Sequence, residues 1–293
     1  MQKVELAVVI PVGPTCELDY VVDTIVSVRH YVTPSHVIIV LDDSGKGTGA
    51  ALREQFGDLA VLVTERVHGK GAGLYLNLSR GFAYAYENYA FDVLLRLDTD
   101  ALVIGQNPEK DAIEYLNDNP DHGIIGSYRT DCNGDPRDFS WARKQLAREL
   151  ELAPALKHSG RLRAWLFLRR ALRKARKNGY EPGEHCMGGA YFVSRECIRR
   201  LVEMNLLSRK EIAWSRLQED MLFGLLIYAA GLKHGDFATG DHPMGLRWRG
   251  LPCSPEDLVA GKKKVTHSTR FFDSLDEKAI RAFFSAQRQS DTA

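Results

Sequence analysis

The feature that most constrains this chain is the run Val93-Leu94-Leu95-Arg96-Leu97-Asp98-Thr99-Asp100, an apolar stretch ending in two carboxylates one residue apart. A strand made mostly of Val and Leu belongs in a sheet with both faces covered, so its acids are delivered where the sheet meets a crevice. Two hard oxygen donors at such a point suit Mg2+ or Mn2+, and such an ion keeps other positions open for phosphate oxygens. An ordinary solvated turn carries the same pattern, so the rest of the chain must decide between the two readings.

The same strand, loop and helix unit recurs upstream. Residues 4–11 are a β-rich run stopped by Pro11-Val12-Gly13-Pro14, and residues 18–31 follow with helical spacing through Leu18, Val21, Val22, Ile25 and Val28. Residues 36–41 read as a second buried strand closing on Asp42-Asp43-Ser44-Gly45, residues 49–56 as a helix and residues 59–64 as a third strand. A glycine-punctuated loop at 68–73 leads into a longer helix reaching Tyr89, after which the acid-bearing strand arrives. Alternation of this kind predicts an α/β fold, with a mainly parallel sheet flanked by helices and functional groups in the loops after strand ends. Asp42-Asp43 and Asp98-Thr99-Asp100 then point to one crevice.

Beyond Asp100 the sequence predicts a helix over 108–116 and a strand over 122–128, and then the rhythm breaks. Residues 137–177 carry 13 Lys/Arg against 3 Asp/Glu, so a chain of formal charge +1 is divided into a +10 segment and a −9 remainder. Trp141, Leu146, Leu150, Trp165, Leu168 and Leu172 recur there at helical intervals, which reads as an inserted basic helical subdomain. A strand over 187–194 containing Gly188-Gly189 follows, then an apolar helix over 218–228 opened by Glu219-Asp220. Farther on come Arg247-Trp248, a helix start at Ser254-Pro255-Glu256-Asp257, a segment over 262–267 rich in lysine, and a last amphipathic helix over 276–287.

With 293 residues and 44% hydrophobic content the chain can bury a sizeable core. Cys16, Cys132, Cys186, Cys197 and Cys253 are odd in number, widely spaced and free of any Cys-x-x-Cys pair, which argues against a disulfide framework or a zinc site. A reduced cytoplasm is the expected setting. The apolar opening is short and no run approaches a membrane span of about 18 residues, so neither a signal peptide nor a transmembrane helix is expected. A cytoplasmic protein, peripheral at the inner face of the membrane if it meets one, fits that pattern.

Five stretches in order, Val8-Val9-Ile10-Pro11, residues 37–44, residues 95–100, residues 188–195 and Glu219-Asp220, resemble glycosyltransferases of the GT-A fold, and residues 255–268 add a sixth. The likeness is greatest to glycosyltransferase family 2, the large inverting family that uses nucleotide-diphosphate sugars. It implies a single GT-A-like domain over residues 1–293, with a Rossmann-like nucleotide-sugar half at 1–105 and an acceptor half at 106–293. The helical insertion falls within the second half, at about 135–180. It further implies that Pro11 and Val12 lie against the nucleoside and that Asp42 or Asp43 bonds the base or ribose. Asp98 would meet the donor and, with Asp100, hold Mn2+ or Mg2+. His267 would be a third ligand from a closing segment, and Asp220 would take the proton of the acceptor hydroxyl.

Spacing alone leaves Glu219 and Asp220 as equal candidates, about 100° apart around a helix, and the resemblance selects Asp220. Gly188-Gly189 would let acceptor and backbone approach closely. The implied partners are a nucleotide-diphosphate sugar, a glycan or lipid-linked acceptor and an anionic membrane surface. No nucleic acid is expected, because the insertion has no aromatic-interleaved recognition motif. Two departures stand out. Asn77 and Arg80 are arranged differently from the family's Arg-Asn helix start, and Met244 replaces the glutamine expected before Arg247-Trp248 in a processive synthase. Two rival readings are a haloacid-dehalogenase-type phosphatase with Asp98 as nucleophile and a non-catalytic basic binding scaffold. Against the first, three strand and helix units precede Asp98.

Overall fold

The computed structural model describes residues 1–291. Its central sheet contains β1 (Leu6–Val12), β2 (His36–Asp42), β3 (Ala60–Val63), β4 (Val93–Leu97), β5 (His122–Gly126), β6 (Ala190–Ser194) and β7 (Lys233–Asp236), in the order β7-β5-β6-β4-β1-β2-β3. Neighbours run parallel except at β6, which is antiparallel to both β4 and β5. The fold is therefore α/β with a mostly parallel sheet.

Alternation along the strands explains why helices cover both faces. In β1, Leu6, Val8, Ile10 and Val12 pack with Val21, Ile25 and Val28 of α1 (Leu18–Tyr31), while Ala7 and Val9 point the other way. Leu52 of α2 (Thr48–Phe56) joins the α1 side, and Tyr75, Leu78 and Phe82 of α3 (Ala72–Asn88) cover the opposite face. Helix α4 (Pro108–Asp118) adds Ala112 to the α1 side.

The basic insertion forms α5 (Ser140–Glu149), a short turn at Leu152–Ala155 and α6 (Ser159–Lys177). Helix α7 (Arg195–Glu203) follows β6. Helix α8 (Glu219–Ala229) is buried along its whole length from Met221 to Ala229, because α3 lies on one side and α6 on the other. A helix apolar all round needs such a cover, and Leu168, Ala171, Leu172 and Ala175 of α6 join its core cluster. Of the apolar residues that recur through the insertion, Leu146, Leu168 and Leu172 are buried, whereas Trp141 is 55% exposed.

The acid-bearing run does not continue as one strand. Strand β4 stops at Leu97, the chain turns through Asp98–Asp100, and Ala101–Val103 enters a second, three-stranded sheet. There it pairs antiparallel with Val265–His267, which pairs parallel with Met244–Leu246. Helix α9 (Glu277–Ser290) then packs back on α1. Arg281 of α9 donates to the carbonyl of Thr99 at 2.6 Å and to Asp23 of α1 at 2.8 Å, so the C-terminal helix holds the acidic turn.

Candidate metal centre and facing acids

Sheet register assembles the site. His267 opposes Ala101 in the small sheet, which sets its ring beside Asp100. One donor atom from each of Asp98, Asp100 and His267 lies within 4.8 Å of the others, a group that can hold a metal ion. His267 Nε2 and Asp100 Oδ1 are 3.5 Å apart, a span one cation can bridge with bonds of about 2.1 Å to each. Nδ1 of His267 lies 2.8 Å from the carbonyl oxygen of Arg247, an acceptor only, so Nδ1 carries a proton and Nε2 is the nitrogen that faces the acids. With the imidazole charged, Nε2 donates to Asp100; with it neutral, the same nitrogen offers the lone pair a metal ligand requires.

The surroundings fix each donor. The Asp98 amide donates to Gly189 O at 2.7 Å, and Thr269 bonds the Asp100 carbonyl through both its amide and its hydroxyl, at 2.9 and 3.1 Å. Thr24 of α1 donates to the carbonyls of Thr99 and Ala101. Lys263, two residues before the strand Val265–His267, points Nζ at the carbonyls of Ala238, Gly240 and His242, each at 2.8 Å, and so pins the strand that carries His267. Two cations meet the acids. Arg96 Nη2 is 2.8 Å from Asp98, and Arg270 Nε is 2.7 Å from Asp100 Oδ2 without the alignment of a hydrogen bond. Burial alone would raise the Asp100 pKa, but His267 and Arg270 outweigh it and hold the carboxyl well below its usual range.

Gly188 and Gly189 join this centre to a second pair of acids. A side chain on Gly189 would meet the His267 ring at 2.6 Å, and its φ of +98° also favours glycine. Gly188 N lies 3.3 Å from Asp220 Oδ2. Below them, buried Arg96 bridges Asp98 and Glu219, with Nη2 at 3.2 Å from Glu219 Oε1. Glu219 is 6% exposed, and burial, reinforced by the charge of Asp220 and opposed by Arg96, pushes its pKa up to about 8. The Asp220 side chain is more open, and His185 Nε2 faces its Oδ2 at 3.6 Å while His185 Nδ1 bonds Gly183 O at 2.7 Å.

The other predicted positions fall at the same sheet edge. Pro11 and Val12 are buried at the end of β1, where Val12 O accepts from the Asp43 amide. Asp42 accepts from Ser44 N and Oγ at 3.0 and 2.5 Å and from Gly49 N at 2.8 Å. Asp43 accepts from Thr64 Oγ1, His68 N and Gly69 N at 2.8 to 2.9 Å. Both acids are almost wholly buried and hold the loops at 44–49 and 64–69.

Arg96, His185 and Arg270 were not singled out by the sequence reading. Only Arg96 carried a signal: a charged residue inside a strand covered on both faces must find carboxylate partners. His185 and Arg270 are brought in by loops whose course the residue pattern does not reveal.

No protein-family model matches the chain, and no curated protein sequence matches it. Among solved structures, the mannosyltransferase PcManGT from Pyrobaculum calidifontis, in complex with GDP-Man and Mn2+, is similar over 79% of this chain at 16% identity, with a TM-score of 0.44. The chain spans about half of that protein, 54% of its length.

Proposed function

We propose that the chain is a metal-dependent glycosyltransferase that moves a sugar from a nucleotide-diphosphate sugar to an acceptor hydroxyl, with inversion. The observation that carries this reading is the Gly188-Gly189 step, which sets Asp220 one residue away from the backbone that packs on His267. Donor-side and acceptor-side chemistry would thus meet across two residues without side chains.

In this reading Asp98, Asp100 and His267 hold Mn2+ or Mg2+, which supplies positive charge to a leaving diphosphate. The nucleoside lies against the loop after Pro11 and Val12. Asp42 and Asp43 act on the donor side by shaping the loops that meet it, since their oxygens already accept several backbone and hydroxyl hydrogens. Asp220 takes the acceptor proton as the hydroxyl attacks, and Glu219 stays buried on Arg96 to fix the helix start. Arg270, 60% exposed beside Asp100, would supply a further positive charge to the diphosphate.

The acceptor is a glycan or a lipid-linked hydroxyl. The phosphatase reading is disfavoured by the ion pair that engages Asp98 Oδ1 with buried Arg96, which blunts it as a nucleophile. UDP-, GDP-, CDP- and dTDP-sugars, each tested with Mn2+ or Mg2+ for release of nucleoside diphosphate, distinguish the two. Metal-dependent release from one donor supports the transferase, whereas inorganic phosphate released from phosphomonoesters with no donor turnover would replace it.

A further inference from the structure

We propose that the outward face of the basic insertion docks the protein on an anionic lipid bilayer. Docking of this kind does not depend on the transfer reading.

Helix α6 turns Ala164, Leu168, Ala171, Leu172 and Ala175 inward. At about 100° per residue, the opposite stripe is Leu162, Leu166, Arg169, Arg173 and Lys177. The last three are exposed, and Leu166 is 42% exposed among them. Leu166 thus presents an aliphatic side chain to solvent in the middle of a cationic stripe.

Further apolar side chains are exposed where the chain enters α6. Leu152 is 48% and Leu156 63% exposed in the turn before it. Trp214, 51% exposed, stacks on His158 with ring centroids 6.2 Å apart and lies over Gly160, where no side chain would fit. Pro154, Ala155, Arg161 and Trp214 line one cleft of about 330 Å³ that runs inward to Leu217, two residues before Glu219. Exposed apolar residues scattered singly are ordinary, but here Leu152, Leu156 and Leu166 all fall within the segment that carries the +10 charge, and Trp214 lies against it.

That combination suits one partner. Leucines and an indole ring partition into the boundary between headgroups and acyl chains, while arginine and lysine stems lie along the apolar layer and reach anionic headgroups. A polynucleotide would use the charges but give the exposed leucines nothing to bury. Among the described residues no helix is long and apolar enough to cross a membrane, so the helix would lie in the interface plane.

Flotation of the full chain with phosphatidylcholine vesicles, with and without phosphatidylglycerol, tests the proposal. Binding is expected only to the anionic vesicles at about 0.1 M salt and is lost at about 1 M, as the Debye length falls from about 10 Å to about 3 Å. Acyl-brominated lipid should quench the fluorescence of a Leu166→Trp variant, whose new indole stands on the outward stripe. The exposed-charge variant Arg169→Gln/Arg170→Gln/Arg173→Gln/Lys174→Gln and the apolar variant Leu152→Ser/Leu156→Ser/Leu166→Ser should each weaken binding by about tenfold or more, with wild-type circular dichroism. Absence of binding to anionic vesicles at low salt overturns the proposal. So does binding without acyl-chain quenching, or single-stranded polynucleotide displacing the vesicles.

Discussion

His267 Nε2 stands 3.5 Å from Asp100 Oδ1 because the strand Val265–His267 pairs with Ala101–Val103, the strand that leaves the acidic turn. The third donor of the centre is thus delivered by backbone pairing across the chain rather than by a local motif. Lys263 strengthens that delivery by satisfying three carbonyls of the 238–242 loop. Arg281 does the same from the other side by bonding Thr99 O.

Removing a donor should therefore loosen the metal without dissolving the fold. His267→Ala and Asp100→Ala are each expected to weaken Mn2+ binding, read by electron paramagnetic resonance of free Mn2+, by at least about tenfold to a hundredfold. Circular dichroism should keep its wild-type form, with only a modest drop in thermal midpoint from the packing and hydrogen bonds lost at two buried polar side chains.

The two neighbouring acids should separate cleanly on substitution. Asp220→Asn is expected to keep donor binding and lower transfer by about 10²-fold or more, the usual scale of a lost general base. Glu219→Gln should keep most of the transfer rate, because a neutral amide still offers an oxygen to Arg96 from the same buried position. Rates for both variants at saturating donor decide it, and equal loss in the two would withdraw the assignment of Asp220 alone.

Gly189→Ala tests how closely the backbone approaches the centre. The added carbon would meet the His267 ring at 2.6 Å from a backbone with φ of +98°. A loss of about 1–3 kcal/mol in urea unfolding is expected, together with weaker Mn2+ binding as the imidazole is displaced. Wild-type values for both measurements would show that the ring has room to move.

A pH effect on stability follows from His234, which is 4% exposed and whose pKa burial pushes down to about 3. Its ordinary value in an unfolded chain is about 6.5, so between these limits the unfolded state holds one more proton and stability falls as the pH drops. From pH 7 to pH 5 this one group removes about 2 kcal/mol. His234→Gln should reduce the difference between urea midpoints at the two pH values by about that much, whatever the substitution costs at pH 7.

Much of the fold was legible because the local signals agreed with one another. Residues 18–31 show an apolar face at helical intervals after a Pro-Val-Gly-Pro stop, and the helix occupies Leu18–Tyr31. The buried strands were readable from their Val and Ile runs, and β2 occupies His36–Asp42. Less legible was the break after Leu97, since nothing in Asp98-Thr99-Asp100-Ala101 announces that the next three residues join another sheet. The hydrogen bonds that occupy Asp42 and Asp43 come from the first turn of α2 at Gly49 and from a loop folding back at Gly69, contacts that no spacing encodes. Trp141 and Leu146 both belong to the apolar pattern of the insertion, yet Leu146 is buried and Trp141 is 55% exposed, because helical periodicity cannot tell which of two apolar positions meets a neighbour.

Calorimetric titration of nucleotide-diphosphate sugars into the wild-type chain and into Asp100→Ala, with and without Mn2+, tests most directly whether the Asp98, Asp100 and His267 cluster binds a donor through a metal. The expected result is a donor that binds wild type tightly only with Mn2+ and binds Asp100→Ala equally weakly in both conditions. Donor affinity in wild type that is the same with and without Mn2+, or Mn2+-dependent affinity that survives in Asp100→Ala, would contradict it.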